Sequence, residues 1–489
     1  MIAWLALFAC SPDEPAAAET GRTFPDGFRW GTATAGFQVD MGCPTWPAAD
    51  CDDTASDWWQ WVNDPTIVGD PSLHMSGDPL SMSPGMWETF EADADQMGDL
   101  GLDAYRMSIE WSRIFPDGAA EAATTVEALD ALAHPAAVAR YHAIFAAARD
   151  RGIEPFVTLN HYTLPLWLHD GVACHADIDG CANRGWVDGE RIVPLLRLWA
   201  EWVGHEYGGE VDTWFTLNEP YATSLAGYVL PGEDRVHPPG LSLAVEPGKA
   251  VILNQIDGSA ALYDGVRATD DADADGDGVA AEVGLVLNMI AIDPADPNNP
   301  LDVTAAAHAD YLYHELYVAA LTTGAWDADL DGVAETTRPE LAGRLDFVGI
   351  NYYNQVTVTG LPFPLFPEIP TFDLIPEFSF DPYPEGLGRV VDRAEGWGLP
   401  IWVTENGTPR VDTEGPAILD GHLDSLWTEI DGGADVRGYF YWSYVDNYEW
   451  NHGFDLRFGL FALDTETKAR SPRPIVDRYR AIIEANGLD

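Results

Sequence analysis

Short apolar runs, most of them closing on a polar or charged side chain, recur along this chain with helical stretches between them. Asp103–Ser108, Pro155–Asn160, Thr213–Asn218, Phe347–Asn351, Ile401–Glu405 and Gly438–Trp442 are such runs, while Trp87–Leu100, Pro135–Arg151, Glu190–Tyr207 and Thr304–Leu321 read as helices. Strand alternating with helix predicts a parallel sheet with crossover helices. Runs that end in polar residues suit a closed barrel in particular, because the working side chains of a (β/α)8 barrel stand at the carboxyl ends of its strands. The pattern continues from about residue 24 to 485 with no linker. The expected fold is therefore α/β, a single (β/α)8 TIM barrel over residues 23–489 with loop insertions, although length alone would suggest about three domains of roughly 150 residues. Residues 361–384, rich in Pro and Phe, read as a rigid loop beside the barrel mouth.

Charge narrows the partners. Eighty acidic residues against 25 basic ones leave a formal net charge of −55. A phosphate backbone needs Lys and Arg, so nucleic acid is excluded as a partner, and an anionic membrane surface is disfavoured for the same reason. Nineteen Trp suit either a packed core or a cleft in which aromatic faces stack on sugar rings.

Residues 1–22 read as a lipoprotein signal and tether. The apolar run Met1–Ala9 ends at Cys10, a lipidation site on this reading and the one route to membrane anchoring; no Lys or Arg precedes the run, and an unprocessed tail is the alternative. Export to the cell envelope or beyond follows. The other cysteines fall in two close pairs, Cys43 with Cys51 and Cys174 with Cys181. In an exported protein these are expected to form two local disulfides, although four cysteines allow three connectivities. Zinc is the weaker reading, because neither spacing is C-x₂₋₄-C.

Two Asp-rich stretches fit the D-x-D-x-D-G opening of a calcium loop. One holds Asp271, Asp273, Asp275 and Asp277, with Glu282 twelfth counting from Asp271; the other holds Asp327, Asp329 and Asp331. Alternate carboxylates there could converge on one hard cation, so structural calcium is one reading of these stretches and plain acidic turns, in a chain rich in Asp throughout, are the other.

The chemistry rests on two carboxyls. Asn218-Glu219-Pro220 closes one apolar run and Glu405-Asn406-Gly407 closes another. A carboxyl at such a place is partly desolvated, and two facing each other are what glycoside hydrolysis requires. The flanking residues resemble family 1 glycoside hydrolases. The resemblance rests on Phe28–Gln38, Tyr105–Ile114, His161 and Pro165, Thr216–Pro220, Gly349–Tyr353, Thr404–Gly407, and Trp442–Trp450 with Arg457–Leu460, in the family's order.

That resemblance implies a retaining β-glycosidase with Glu219 as acid/base and Glu405 as nucleophile. It implies that Arg106 and Tyr353 hold the nucleophile and that Asn218 meets the sugar 2-hydroxyl. Gln38, His161, Glu449 and Trp450 match the remaining hydroxyl ligands, and Trp442 matches the floor under the ring. The substrate it implies is a neutral, unphosphorylated β-glucoside, β-galactoside or related β-glycoside, since the carboxylate of Glu449 repels phosphate; no cofactor is required. Tyr162 departs from the family pattern, which usually has Trp there, and is expected to alter the 3-hydroxyl contact. Asp40 stands where Glu is commoner, and Gln38–Gly42 with Leu164–Asp170 resembles the archaeal-type branch. A transglycosylase using the same intermediate and a non-catalytic sugar-binding protein are the alternatives; the second predicts loss of one carboxyl, and both are present.

Overall fold

A computed structural model describes residues 21–366 and 369–489. Cys10 and nearly all of the leader and tether lie outside the described residues. Eight parallel strands close into a barrel in which each strand pairs with its neighbours in sequence. They are β1 (Arg29–Ala33), β2 (Ala104–Ser108), β3 (Glu154–Thr158), β4 (Thr213–Asn218), β5 (Glu282–Asn288), β6 (Phe347–Tyr352), β7 (Ile401–Asn406) and β8 (Val436–Trp442). The pairing of β8 with β1, Gly438–Trp442 against Arg29–Ala33, closes the ring.

Inside the barrel, large rings face missing side chains. A Cβ on Gly31 would come 2.4 Å from the Phe440 ring, and one on Gly284 would come 2.2 Å from Phe347. Phe156, Phe215, Phe347, Trp402 and Phe440 fill the interior as one buried cluster. Glycine on one strand makes room for an aromatic on the next, so the barrel is a packed core and not a pore.

The outer layer is helical. Helix α1 (Met86–Leu100) precedes β2 and ends at Gly101, whose φ of 91° gives the left-handed cap that glycine adopts freely. Helix α2 (Pro135–Arg149) starts with Pro at its first position, where the missing N–H is no loss. In α3 (Gly189–Tyr207), Ile192, Leu196, Trp199, Val203 and Tyr207 recur at helical spacing and are buried. It packs closely on α4 (Val245–Thr269), where a Cβ on Gly265 would meet Ala200 at 2.6 Å. The expected helix over Thr304–Leu321 is instead α5 (Pro300–Asp310) and α6 (Leu316–Thr323), joined by a π-helical turn at Tyr311–Glu315.

Part of the expected loop over 361–384 is a strand. Leu374–Ser379 pairs antiparallel with Gln355–Gly360, which pairs in parallel with Ala291–Pro294. This small sheet walls an apolar cavity of ≈ 130 Å³ lined also by Tyr221 and Tyr313. Both expected disulfides are present, Cys43–Cys51 and Cys174–Cys181. No helix among the described residues is long and apolar enough to cross a membrane.

Candidate active site

The carboxyl ends of β2, β4, β6, β7 and β8 bring the polar residues of the site together. Arg106, in the middle of β2, is fully buried. Its Nη1 donates to Glu405 Oε1 at 2.6 Å and its Nη2 to Asn218 Oδ1 at 2.8 Å. The Tyr353 hydroxyl donates to the other Glu405 oxygen at 2.7 Å. Glu405 therefore has a charged partner on one side and a phenol on the other.

Glu219 sits one residue past β4, at φ 45°. Its donors are neutral: Asn351 Nδ2 reaches Oε1 at 2.7 Å and the Tyr162 hydroxyl reaches Oε2 at 2.5 Å. Asn351 is itself oriented by Thr404, whose hydroxyl donates to Asn351 Oδ1 at 2.7 Å.

Burial pushes the Glu405 carboxyl up to about 7, opposed by Arg106 and assisted by the neighbouring charge of Glu219; the bonds from Tyr353 and Arg106 oppose it too. The guanidinium bonded to Glu405 favours its charged form.

The remaining expected ligands surround the same space. Gln38 Nε2 donates to Tyr448 O at 2.9 Å and to Glu449 Oε2 at 3.2 Å. Asn218 Nδ2 lies 3.2 Å from His161 Nε2. Burial, then Arg106, holds His161 far below the usual imidazole range, so the ring is neutral. With Nε2 accepting from Asn218, Nδ1 carries the hydrogen. His161 Nδ1 and Gln38 Oε1 are both buried without a protein partner. A buried donor and a buried acceptor left open are costly unless a ligand satisfies them, and sugar hydroxyls can do both. The His161 ring lies near-parallel to Trp442 at 6.0 Å and to Trp450 at 6.1 Å.

Three residues of this site, Tyr162, Glu219 and Trp450, adopt positive φ (72°, 45° and 49°), a conformation uncommon outside glycine. Such backbone persists only where the surroundings over-determine it, as at functional sites.

Two neighbours were not read from the sequence. Arg235, in the loop after β4, donates from Nη2 to Glu449 Oε1 at 3.1 Å, and its Nη1 is buried without a partner. His237 stacks at 6.1 Å from Trp450 with both ring nitrogens unpartnered. Neither lies in a periodic segment, and an Arg in an acidic loop carries no sequence signal of its own.

The Asp-rich stretches differ from expectation. Asp273, Asp275 and Asp277 converge with Asp212, their carboxylate oxygens within 4.8 Å of one another, and Asp271 is outside the group. Glu282 does not close a loop; it opens β5 and faces Arg437 at 3.4 Å, because the apolar run Val283–Leu287 pulls it into the barrel wall. In the second stretch Asp327 and Asp329 converge with Glu335. Asp331 is not in that group; its carboxylate accepts the Val333 N–H at 2.8 Å instead.

Comparison with known proteins agrees with this geometry. The model of glycosyl hydrolase family 1 matches residues 20–488. The chain is 33% identical over 509 aligned positions to a β-galactosidase of Pyrococcus woesei, covering 95% of this chain and 98% of that one. It is 30% identical over 502 positions to a β-galactosidase of Saccharolobus solfataricus, covering 94% and 95% of the two chains. The crystal structure of the β-glycosidase from the hyperthermophile Thermosphaera aggregans superposes with a TM-score of 0.81 at 28% identity, over 96% of this chain and 98% of that one. The chain belongs to glycosyl hydrolase family 1.

Proposed function

We propose that this protein is a retaining β-glycosidase that hydrolyses unphosphorylated β-glucosides, β-galactosides or related β-glycosides. The observation that carries the reading is the asymmetry of the two carboxyls: Arg106 and Tyr353 hold Glu405, while only neutral donors hold Glu219. Ionised Glu405 attacks the anomeric carbon as protonated Glu219 gives its proton to the departing oxygen. The glycosyl–Glu405 ester forms and the glycosidic C–O bond breaks. Water then attacks the same carbon, Glu219 takes its proton, and the β-configured sugar leaves as Glu405 is regenerated. Asn218, bonded to Arg106, faces the 2-hydroxyl. Gln38, His161, Glu449 and Trp450 hold the other hydroxyls, and Trp442 underlies the ring. The Glu449 carboxylate disfavours a phosphorylated sugar.

The test is a panel of aryl β-glycosides with wild type, Glu219→Ala and Glu405→Ala, with and without azide. Wild type should release the aryl alcohol, and each variant should lose more than about 10³-fold in rate. Azide should give the β-glycosyl azide with Glu219→Ala and the α-glycosyl azide with Glu405→Ala. A wild type inert to every sugar at low and high salt sinks the reading.

Export and anchoring through Cys10 fit the leader sequence, and the two disulfides support an oxidising compartment. Palmitate labelling lost in Cys10→Ser would support the anchor; equal labelling would overturn it. Structural calcium is supported at one place by Asp212, which is buried with Oδ1 unpartnered beside Asp273, Asp275 and Asp277. Chelation should then lower Tm while leaving kcat/KM on the aryl glycoside unchanged below the transition; an unchanged Tm removes calcium from the account.

A further inference from the structure

We propose that Tyr162 is a positioning residue for the acid/base, orienting the Glu219 carboxyl and tuning its readiness to give up a proton. The inference rests on the glycosidase reading above. The Tyr162 hydroxyl donates to Glu219 Oε2 at 2.5 Å, and Asn351 donates to Oε1 at 2.7 Å. With both oxygens bonded from different strand ends, the carboxyl plane is fixed, and each oxygen keeps a second lone pair for the transferred proton.

Tyr162 is built to stay where it is. It is 7% exposed. Its ring stands edge-on to His237 at 4.5 Å and to Trp450 at 5.0 Å. Its backbone lies at φ 72°, which an aromatic residue adopts only under constraint. The phenol is a fixed donor: burial, reinforced by the charge of Glu219, keeps it protonated far above the usual phenol range. A donor aimed at a carboxylate favours the ionised form. The contact therefore strengthens as the proton leaves Glu219 for the glycosidic oxygen, and it persists while Glu219 acts as base toward water. The residue that departs from the family pattern thus bonds the acid/base carboxyl directly.

Tyr162→Phe removes the hydroxyl and keeps the ring. With a phenyl or alkyl β-glycoside, whose departure needs a proton, kcat/KM should fall about 10- to 100-fold, the value of a hydrogen bond to a charged group. With 2,4-dinitrophenyl β-glycoside, which leaves unaided, kcat/KM should stay within about threefold. The alkaline limb of the kcat/KM profile should move to higher pH. If Tyr162→Phe does not fold, 3-fluorotyrosine at position 162 keeps the shape and donates more strongly; the limb should then move to lower pH. Equal losses on both substrates, or an unmoved limb, overturn the proposal while the glycosidase reading stands. A wild type that cleaves neither substrate overturns the glycosidase reading itself.

Discussion

Arg106 is the residue on which the two carboxyl ends converge, since one guanidinium touches both Glu405 and Asn218. Arg106→Lys keeps a charge but loses the planar fork that reaches two acceptors. Its kcat/KM on an aryl β-glycoside should fall roughly 10²- to 10³-fold, an estimate from the loss of charge-assisted bonds. Arg235 should behave differently. It touches Glu449 and not the reacting carboxyls, so Arg235→Gln should raise KM about tenfold with little change in kcat; a drop in kcat at constant KM contradicts this assignment. These two arginines mark what the sequence discloses. Arg106 was legible because it lies inside a strand-like run, flanked by a recognisable block. Arg235 was not, since its partner lies 214 positions away and only the fold brings them together. Tyr162 was visible as a departure from the family pattern, but its partner depends on a backbone turn at φ 72° that no propensity predicts.

Six of the eight strands were readable as apolar runs, and two were not. The first, β1, was hidden within the Phe28–Gln38 block, where glycine and threonine dilute its apolar pattern. The fifth, β5, was hidden because acidic residues lead straight into it and Glu282 fell at a metal-loop spacing. Both strands carry a barrel glycine against a neighbour's ring. Gly284→Ala would place its methyl 2.2 Å from Phe347 and 2.7 Å from the Phe347 carbonyl oxygen. Overpacking of this kind costs about 1–3 kcal/mol. The variant should unfold at lower denaturant, with KM preserved in the fraction that remains folded. An unshifted midpoint means that β5 can retreat from β6.

The molecule as a whole carries a formal charge of −55 and buries several carboxyls that resist ionisation. Burial pushes Asp40 up to about 6, and Glu110 and Glu154 up to about 7. Each folded-state value lies above the unfolded one, so the folded state binds more protons. The stability these groups contribute is complete below about pH 4 and is lost as pH rises through 6 and 7. General repulsion acts in the same direction as more carboxyls ionise. Tm should therefore rise as pH is lowered from 8 to about 5.5, and at pH 8 it should rise with sodium chloride, which screens the repulsion. A Tm flat in both variables contradicts this account. The ends of the described chain add a directional consequence. Arg22 and Thr23 pair with Leu488 and Gly487, and Trp30 near the start of β1 bonds to Asn486 at 3.0 Å. Both ends thus leave from the face where the strands begin, whereas Glu219 and Glu405 stand where the strands finish. The described chain therefore begins and ends on the side of the barrel turned away from the one that receives the sugar.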